Sequence, residues 1–155
     1  MAKDFKTSTL NIHFLHGKKM HFQVASLFFN DDEENNWYTI DNNSICAYED
    51  ILVKIVDHIE KKEIYVFLVN TTIVVENDSI EVTTTNEINY FIRRNTKKKQ
   101  HKNLTDLNEQ INYFQSTRVL GIDIEEMINF DEIKHQYYKN KLINILNLKE
   151  EFNYE

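Results

Sequence analysis

Residues 64–84 constrain this chain more than any other stretch. Ile64, Val66 and Leu68, then Ile73 and Val75, then Ile80 and Val82, alternate with other residues at a period of two. Alternation of that kind belongs to strands with one buried face. If Asn70-Thr71 and Asn77-Asp78 are two-residue turns, Leu68 pairs with Ile73 and Val82, and Val66 with Val75 and Ile80. One face of the meander is then wholly aliphatic and needs a cover, while Tyr65, Phe67 and Val74 line the other.

The nearest candidate cover follows Ser44, a helix-capping residue type. Ile45, Tyr48, Ile51, Leu52, Ile55, Val56 and Ile59 make a stripe of helical period, predicting a helix over 44–62. The β-branched content of residues 51–56 pulls the other way. Upstream, Leu10, Ile12 and Phe14 answer Phe22, Val24 and Phe28 around Gly17-Lys18-Lys19. A three-residue loop pairing His16 with Met20 keeps both apolar sets on one face of a hairpin. A short strand is expected at Trp37–Ile40, and a short helix carrying Ile88, Phe91 and Ile92 after a Thr85 cap. Asp106 and Glu109 have capping-box spacing for a helix with Leu107, Ile111 and Phe114 on one face. Arg118–Asp123 reads as extended or loop. A long helix is expected from Asp131 to about Phe152, with Tyr138, Leu142, Ile145, Leu146 and Phe152 inward.

The expected fold class is therefore α+β: an N-terminal antiparallel β-rich part with one covering helix, then a helical C-terminal part. The 155 residues suit a single domain, β-rich over 8–92, with a basic linker at 93–102 and a helical part at 103–155.

Composition narrows the chemistry. There are two glycines, Gly17 and Gly121, and no proline, so neither a GxGxxG turn nor a Walker A loop can be built. Cys46 is the single cysteine, so an internal disulfide is excluded and a reducing cytosol fits. The longest apolar run, Ile64–Val69, falls far short of the ~20 residues of a membrane helix. No secretory pattern opens the chain, and the expected location is the host cytosol without membrane contact. Lysine-, asparagine- and isoleucine-rich usage with little Ala, Gly or Pro points to an AT-rich genome, that of a low-GC bacterium, its phages or mobile elements.

Charge is lopsided. The formal net charge is -7, yet the tract Arg93–Lys102 holds Arg93, Arg94, Lys97, Lys98, Lys99 and Lys102, with His101 and no acid. Such a tract is either a solvated linker or a cationic finger for weak RNA or DNA contact. Acids gather at Asp31, Asp32, Glu33 and Glu34, at Glu49-Asp50, at Glu125 and Glu126, at Asp131-Glu132 and at Glu150-Glu151. They serve solubility, or they dock on a basic groove by imitating phosphates. Trp37 beside the first cluster is an interface-anchor residue type.

No catalytic or metal set is complete. His13 and His21 lie diagonally on the expected hairpin's outer face, and Asp131 and His135 lie four apart on a helix, two ligands in each case. Cys46 near an expected helix start has no histidine beside it in sequence. Arg118–Glu125, an apolar run ending in Asp123 with Glu125 two residues on, resembles the opening of RNase H-like and DEDD-exonuclease sites. That resemblance implies two metal ions held by carboxylates, but those families open the domain with this strand and draw further carboxylates from later ones.

The sequence thus points to a non-enzymatic macromolecule-binding protein without cofactor or metal. The subclass it suggests is a small phage- or mobile-element-encoded inhibitor of anti-CRISPR or anti-defence type. Its partner would be a host nuclease or that nuclease's nucleic-acid complex, blocked by steric or allosteric occlusion. The protein-binding residues would be Asp31, Asp32, Glu33, Glu34, Trp37, Glu125 and Glu126. A nucleic-acid-binding module built on Arg93–Lys102 is the alternative, and a metal-dependent hydrolase the second.

Overall fold

Ser44–Asp57 is one long strand, β4, and that replaces the expected fold class. In the computed structural model, which describes residues 7–31, 34–94, 102–117 and 124–151, the other strands are β1 (Ser8–His13), β2 (Lys19–Asp31), β3 (Asn36–Tyr38), β5 (Lys62–Glu76), β6 (Ser79–Thr83), β7 (Tyr90–Arg93) and β8 (Leu148–Glu151). Two helices, α1 (Lys102–Thr117) and α2 (Ile124–Leu146), lie between β7 and β8 in sequence. The chain divides into two compact units, Met1–Arg93 with Lys149–Glu155, and Arg94–Leu148. Among the described residues no helix is long and apolar enough to cross a membrane.

The first unit is a closed five-stranded barrel. Antiparallel pairs run β1 to β2, β2 to β4, β4 to β5 and β5 to β6. Five alternating strands leave the last pointing the same way as the first, so the ring closes through a parallel pair, Thr9↔Ser79 to His13↔Thr83. β3 extends β2, and β7 and β8 extend β5. Closure removes the need for a covering helix, because the sheet buries its own inner face. Leu10, Ile12, Met20, Ala25, Val53, Ile55, Val66, Ile73 and Val82 are fully enclosed there.

The expected helix over 44–62 fails on burial. Its stripe would bury Ile45 and Ile59, which are 75% and 55% exposed, whereas Val53, outside the stripe, is completely buried. A change of face explains the false period. Tyr48 packs against the core and so does Ile51, a step of three that imitates a helical turn.

β5 makes the matching change at Asn70, whose φ of 46° is left-handed. Asparagine tolerates that region. Asn70-Thr71 is therefore a kink within β5 and not a turn, while the turn at Asn77-Asp78 forms and pairs Ile73 with Val82 and Val75 with Ile80 as expected.

The first hairpin is also re-registered. His13 pairs with Lys19, Ile12 with Met20 and Leu10 with Phe22 around a longer connection containing left-handed His16 and Gly17. Ser8 pairs with Ala25, so β2 carries one extra residue near Gln23-Val24. Such a bulge shifts the alternation by one. Ala25, Leu27 and Phe29 then face inward in place of Val24 and Phe28.

No helix follows Thr85. Residues 84–89 are irregular and bond to β5 through side chains: Asn89 Oδ1 accepts from Phe67 N–H at 3.2 Å, and Asn86 Oδ1 from Val69 N–H at 3.0 Å. Polar side chains that satisfy a neighbour's backbone compete with helix formation.

In the second unit α1 begins at Lys102, four residues before the expected Asp106 start, and carries buried Leu107 and half-buried Ile111. α2 begins at Ile124, ahead of Asp131, and stops at Leu146, where Asn147 takes a φ of 55°. Leu142 and Leu146 are buried as expected, Phe130 is buried though the expected stripe left it out, and Ile145 is exposed. Phe152 and Arg118–Asp123 lie outside the described residues.

Candidate functional site

The barrel register builds a cleft on its outer face. Because Leu27, Val53 and Ile55 point inward, Ser26, Phe28, Lys54 and Val56 point outward. Two cross-strand rows result. Phe28 pairs with Lys54 and Lys54 with Tyr65; Ser26 pairs with Val56 and Val56 with Glu63. Trp37 on β3 and His58 in the turn after β4 complete a cleft of about 370 Å³ with Ser26, Phe28, Lys54, Val56 and Glu63.

Its centre is a cation between rings. Lys54 Nζ lies 4.9 Å from the Phe28 ring centroid and 4.8 Å from that of Trp37. Both distances fall within the reach of cation–π attraction. Trp37 is tilted against Tyr65, centroids 5.7 Å apart, and Arg93 lies over the Tyr65 ring at 5.9 Å. Asn35 Oδ1 accepts from Trp37 Nε1–H at 3.0 Å and from Arg93 Nη2–H at 3.1 Å, fixing the indole and the guanidinium together.

Burial lowers the Lys54 pKa, Glu63 opposes that shift, and Arg93 reinforces it. Desolvation raises the Tyr65 hydroxyl well above its ordinary range, helped by its hydrogen bond to Glu63 and opposed by Arg93. Tyr48 is raised the same way, by burial and then by its contact with Tyr38 at 3.1 Å.

The sign follows from linkage. A hydroxyl with a raised folded pKa contributes stability in full below its ordinary value of 10.0, and loses it as pH climbs toward the folded value. Lys54 runs oppositely, its penalty being relieved as pH rises through its depressed value. Urea midpoints should therefore fall between about pH 9 and pH 11. In Tyr65→Phe that fall should be shallower, and an equal fall would contradict the assignment.

His58 Nε2 and Ser26 Oγ are 2.8 Å apart, a nucleophile-and-base distance. Yet Ser26 is only 2% exposed, and the neighbouring Asp57 carboxylate accepts from Ile59 and Glu60 N–H groups instead. That carboxylate therefore caps a turn.

The other expected site residues are scattered. Glu34 is exposed in the turn before β3, Asp31 ends β2 opposite Asn36, and Asp32 and Glu33 lie outside the described residues. Glu125 and Glu126 are exposed in the first turn of α2, where carboxylates complement the helix dipole. Arg94 is fastened within its unit: its N–H donates to the Asn147 carbonyl at 2.8 Å and its Nε to that of Leu148 at 3.2 Å. Lys97, Lys98 and Lys99 lie outside the described residues, and Lys102 opens α1. The structure thus unites Trp37 with Arg93, which the sequence placed in separate surfaces.

His13 and His21 do share the outer face of β1 and β2, but each has a polar partner. His13 Nε2 meets Glu81 Oε2 at 2.8 Å, His21 Nδ1 meets Asn11 Oδ1 at 2.6 Å, and Asn11 Nδ2 donates to Glu81 Oε1 at 2.8 Å. Asp131 is exposed and His135 half-buried on α2. Cys46 sits half-buried in β4, so no helix N-terminus acts on its thiol.

Lys54, His58, Ser26, Glu63 and Tyr65 were missed. Lys54 carried a usable signal, being the single charge in Ile51–Val56.

Residues 9–89 match the UU051 N-terminal domain, and residues 101–151 match the uncharacterised protein UU051 C-terminal domain. Uncharacterized protein UU051 of Ureaplasma parvum serovar 3 is 35% identical over 147 residues, covering 91% of this chain and 86% of that protein. The chain belongs to the UU051 family. The matched N-terminal region of UU051 spans β1 to the segment before β7, and so takes in Phe28, Trp37, Lys54, His58, Glu63 and Tyr65.

Proposed function

We propose that this UU051-family chain is a non-enzymatic binding protein that holds a macromolecular partner at the barrel cleft. The observation that carries this reading is Lys54, a partly buried ammonium between Phe28 and Trp37. A cation enclosed by rings, with Arg93 fixed at one side, is a recognition arrangement for an anionic group attached to an apolar or planar body. The adjacent exposed His58 supplies a hydrogen-bonding position at the cleft wall. Work by contact fits the use of Asp57 as a turn cap, since the pair of Ser26 and His58 then has no carboxylate from that side.

Capture from a low-GC bacterial lysate with the tagged full chain tests this, read against Lys54→Glu, Arg93→Ala and an Ile45→Ser control. Partner recovery should fall by about tenfold or more in the first two, as for a hot-spot loss, and stay unchanged in the control. Thermal melts establish that the variants are folded. Equal recovery by all folded variants, or no partner at all, would overturn the reading.

A further inference from the structure

Resting on the cleft assigned above, we infer that its partner is single-stranded nucleic acid, with Trp37 taking a base and Lys54 and Arg93 taking phosphates. Three observations converge. Cations cover rings across adjacent strands, Lys54 beside buried Phe28 and half-buried Trp37 and Arg93 over buried Tyr65, which leaves Trp37 as the ring of the three open to a ligand. A barrel's outer face with that mixture suits a strand whose bases are free to stack while its backbone follows the positive groups.

The second observation is Asn35. By holding both the Trp37 indole N–H and the Arg93 guanidinium, it fixes a stacking surface and a phosphate donor relative to each other before any ligand arrives. Preorganisation lowers the ordering cost of binding. Lys54 occupies the space between the rings on a flexible stem, so rotation toward a phosphate uncovers the indole for a base without moving the barrel.

The third is charge. The chain carries -7 overall, which opposes a broad duplex track. Its cations are concentrated in sequence, Arg93 beginning a run that continues with Arg94, Lys97, Lys98, Lys99 and Lys102. A local contact by a few nucleotides at Lys54 and Arg93 accommodates an otherwise acidic molecule. A base brings a broad stacking face to Trp37 and hydrogen-bonding edges to His58 at the cleft wall.

Trp37 is the sole tryptophan, so its emission reads the cleft directly. The probe is oligodeoxythymidylate of about 12 nucleotides, set against its duplex with the complementary strand and against thymidine monophosphate. The full chain should bind the single strand saturably at low salt, with Trp37 quenched and the duplex and mononucleotide binding more weakly. Affinity should fall with salt at a slope of about -0.7 per neutralised phosphate, and Lys54→Gln should make that slope shallower.

By anisotropy of a labelled strand, Trp37→Ala should lose about tenfold or more in affinity. If Trp37→Ala melts early, Lys54→Gln and Arg93→Gln decide. Absent binding, binding without quenching, equal duplex binding, or affinity and salt slope unchanged in the folded variants would each overturn the inference. A protein recovered through the cleft with no strand bound would overturn it while leaving the cleft reading intact.

Discussion

Val53→Asp should abolish folding, while Ile45→Ser and Ile59→Ser should leave stability within about 0.5 kcal/mol of the native chain. Val53 is completely buried and lies opposite Phe29 on β2 and Val66 on β5, both core residues. Its neighbours are apolar on the inner face, so a carboxylate there would have to remain charged without a partner or take up a proton. Either course costs several kcal/mol, a large share of the roughly 5–15 kcal/mol that holds a domain folded. Ile45 and Ile59 are mostly in water already and bury little that a serine would lose. A helix over 44–62 demands the reverse ordering, with Ile45 and Ile59 in the core. Far-UV circular dichroism and urea titration of the three variants separate the two structures.

Asn86→Ala should cost about 1–3 kcal/mol despite removing no apolar contact from the core. β5 pairs with β6 up to Thr72↔Thr83 and with β7 at Tyr65↔Phe91. Between those ladders Asn86 and Asn89 act as a substitute strand. Asn86 Nδ2 and Asn89 Nδ2 both donate to the Phe67 carbonyl, at 2.9 and 3.1 Å, and their Oδ1 atoms accept from Val69 and Phe67 N–H. Removing the Asn86 amide leaves the Val69 N–H with Thr84 Oγ1 alone, at 3.2 Å, and the carbonyl of buried Phe67 with Asn89 alone. Since both amides share the Phe67 carbonyl, the double alanine variant should depart from the sum of the singles. A loss under about 0.5 kcal/mol for Asn86→Ala, read from urea midpoints, would show that water replaces the amide freely.

Alternation itself was plain in the sequence wherever a strand kept one face. Ile73, Val75, Ile80 and Val82 were paired correctly around Asn77-Asp78 because nothing interrupts their period. Three departures from strict alternation hid the barrel. The extra residue in β2 moves the inward set from Phe22 to Ala25, the switch in β4 moves it from Tyr48 to Ile51, and left-handed Asn70 moves it from Leu68 to Ile73. Each creates an odd step, and a step of three within a β-branched run reads as helix. Asn70 gave a true signal of a left-handed residue, but such a residue serves a kink as well as a turn. Closure was the second hidden fact. An aliphatic face can be covered by another element or by its own sheet, and the parallel β1 to β6 seam joins residues too distant in sequence for local pattern to reveal.

The cleft was legible only in part. Trp37 stands out as an aromatic beside an acidic cluster, Phe28 only as an apolar member of the first hairpin, and Arg93 as the start of a basic run. Their meeting depends on the β2 to β4 register and on Asn35, which follow from the fold and not from spacing along the chain. Lys54 could be placed opposite Phe28 only once β4 was known to be a strand.

Everything that positions the cleft depends on the barrel being closed, and hydrogen exchange along β1 tests that most directly. Successive β1 amides point alternately to the two sides of the strand. With β2 on one side and β6 on the other, the amides of Leu10 to His13 should all exchange slowly, to a degree comparable with central β4. Free-chain exchange at alternate positions of Leu10 to His13, with slow exchange only toward β2, would mean an open edge and contradict the structure.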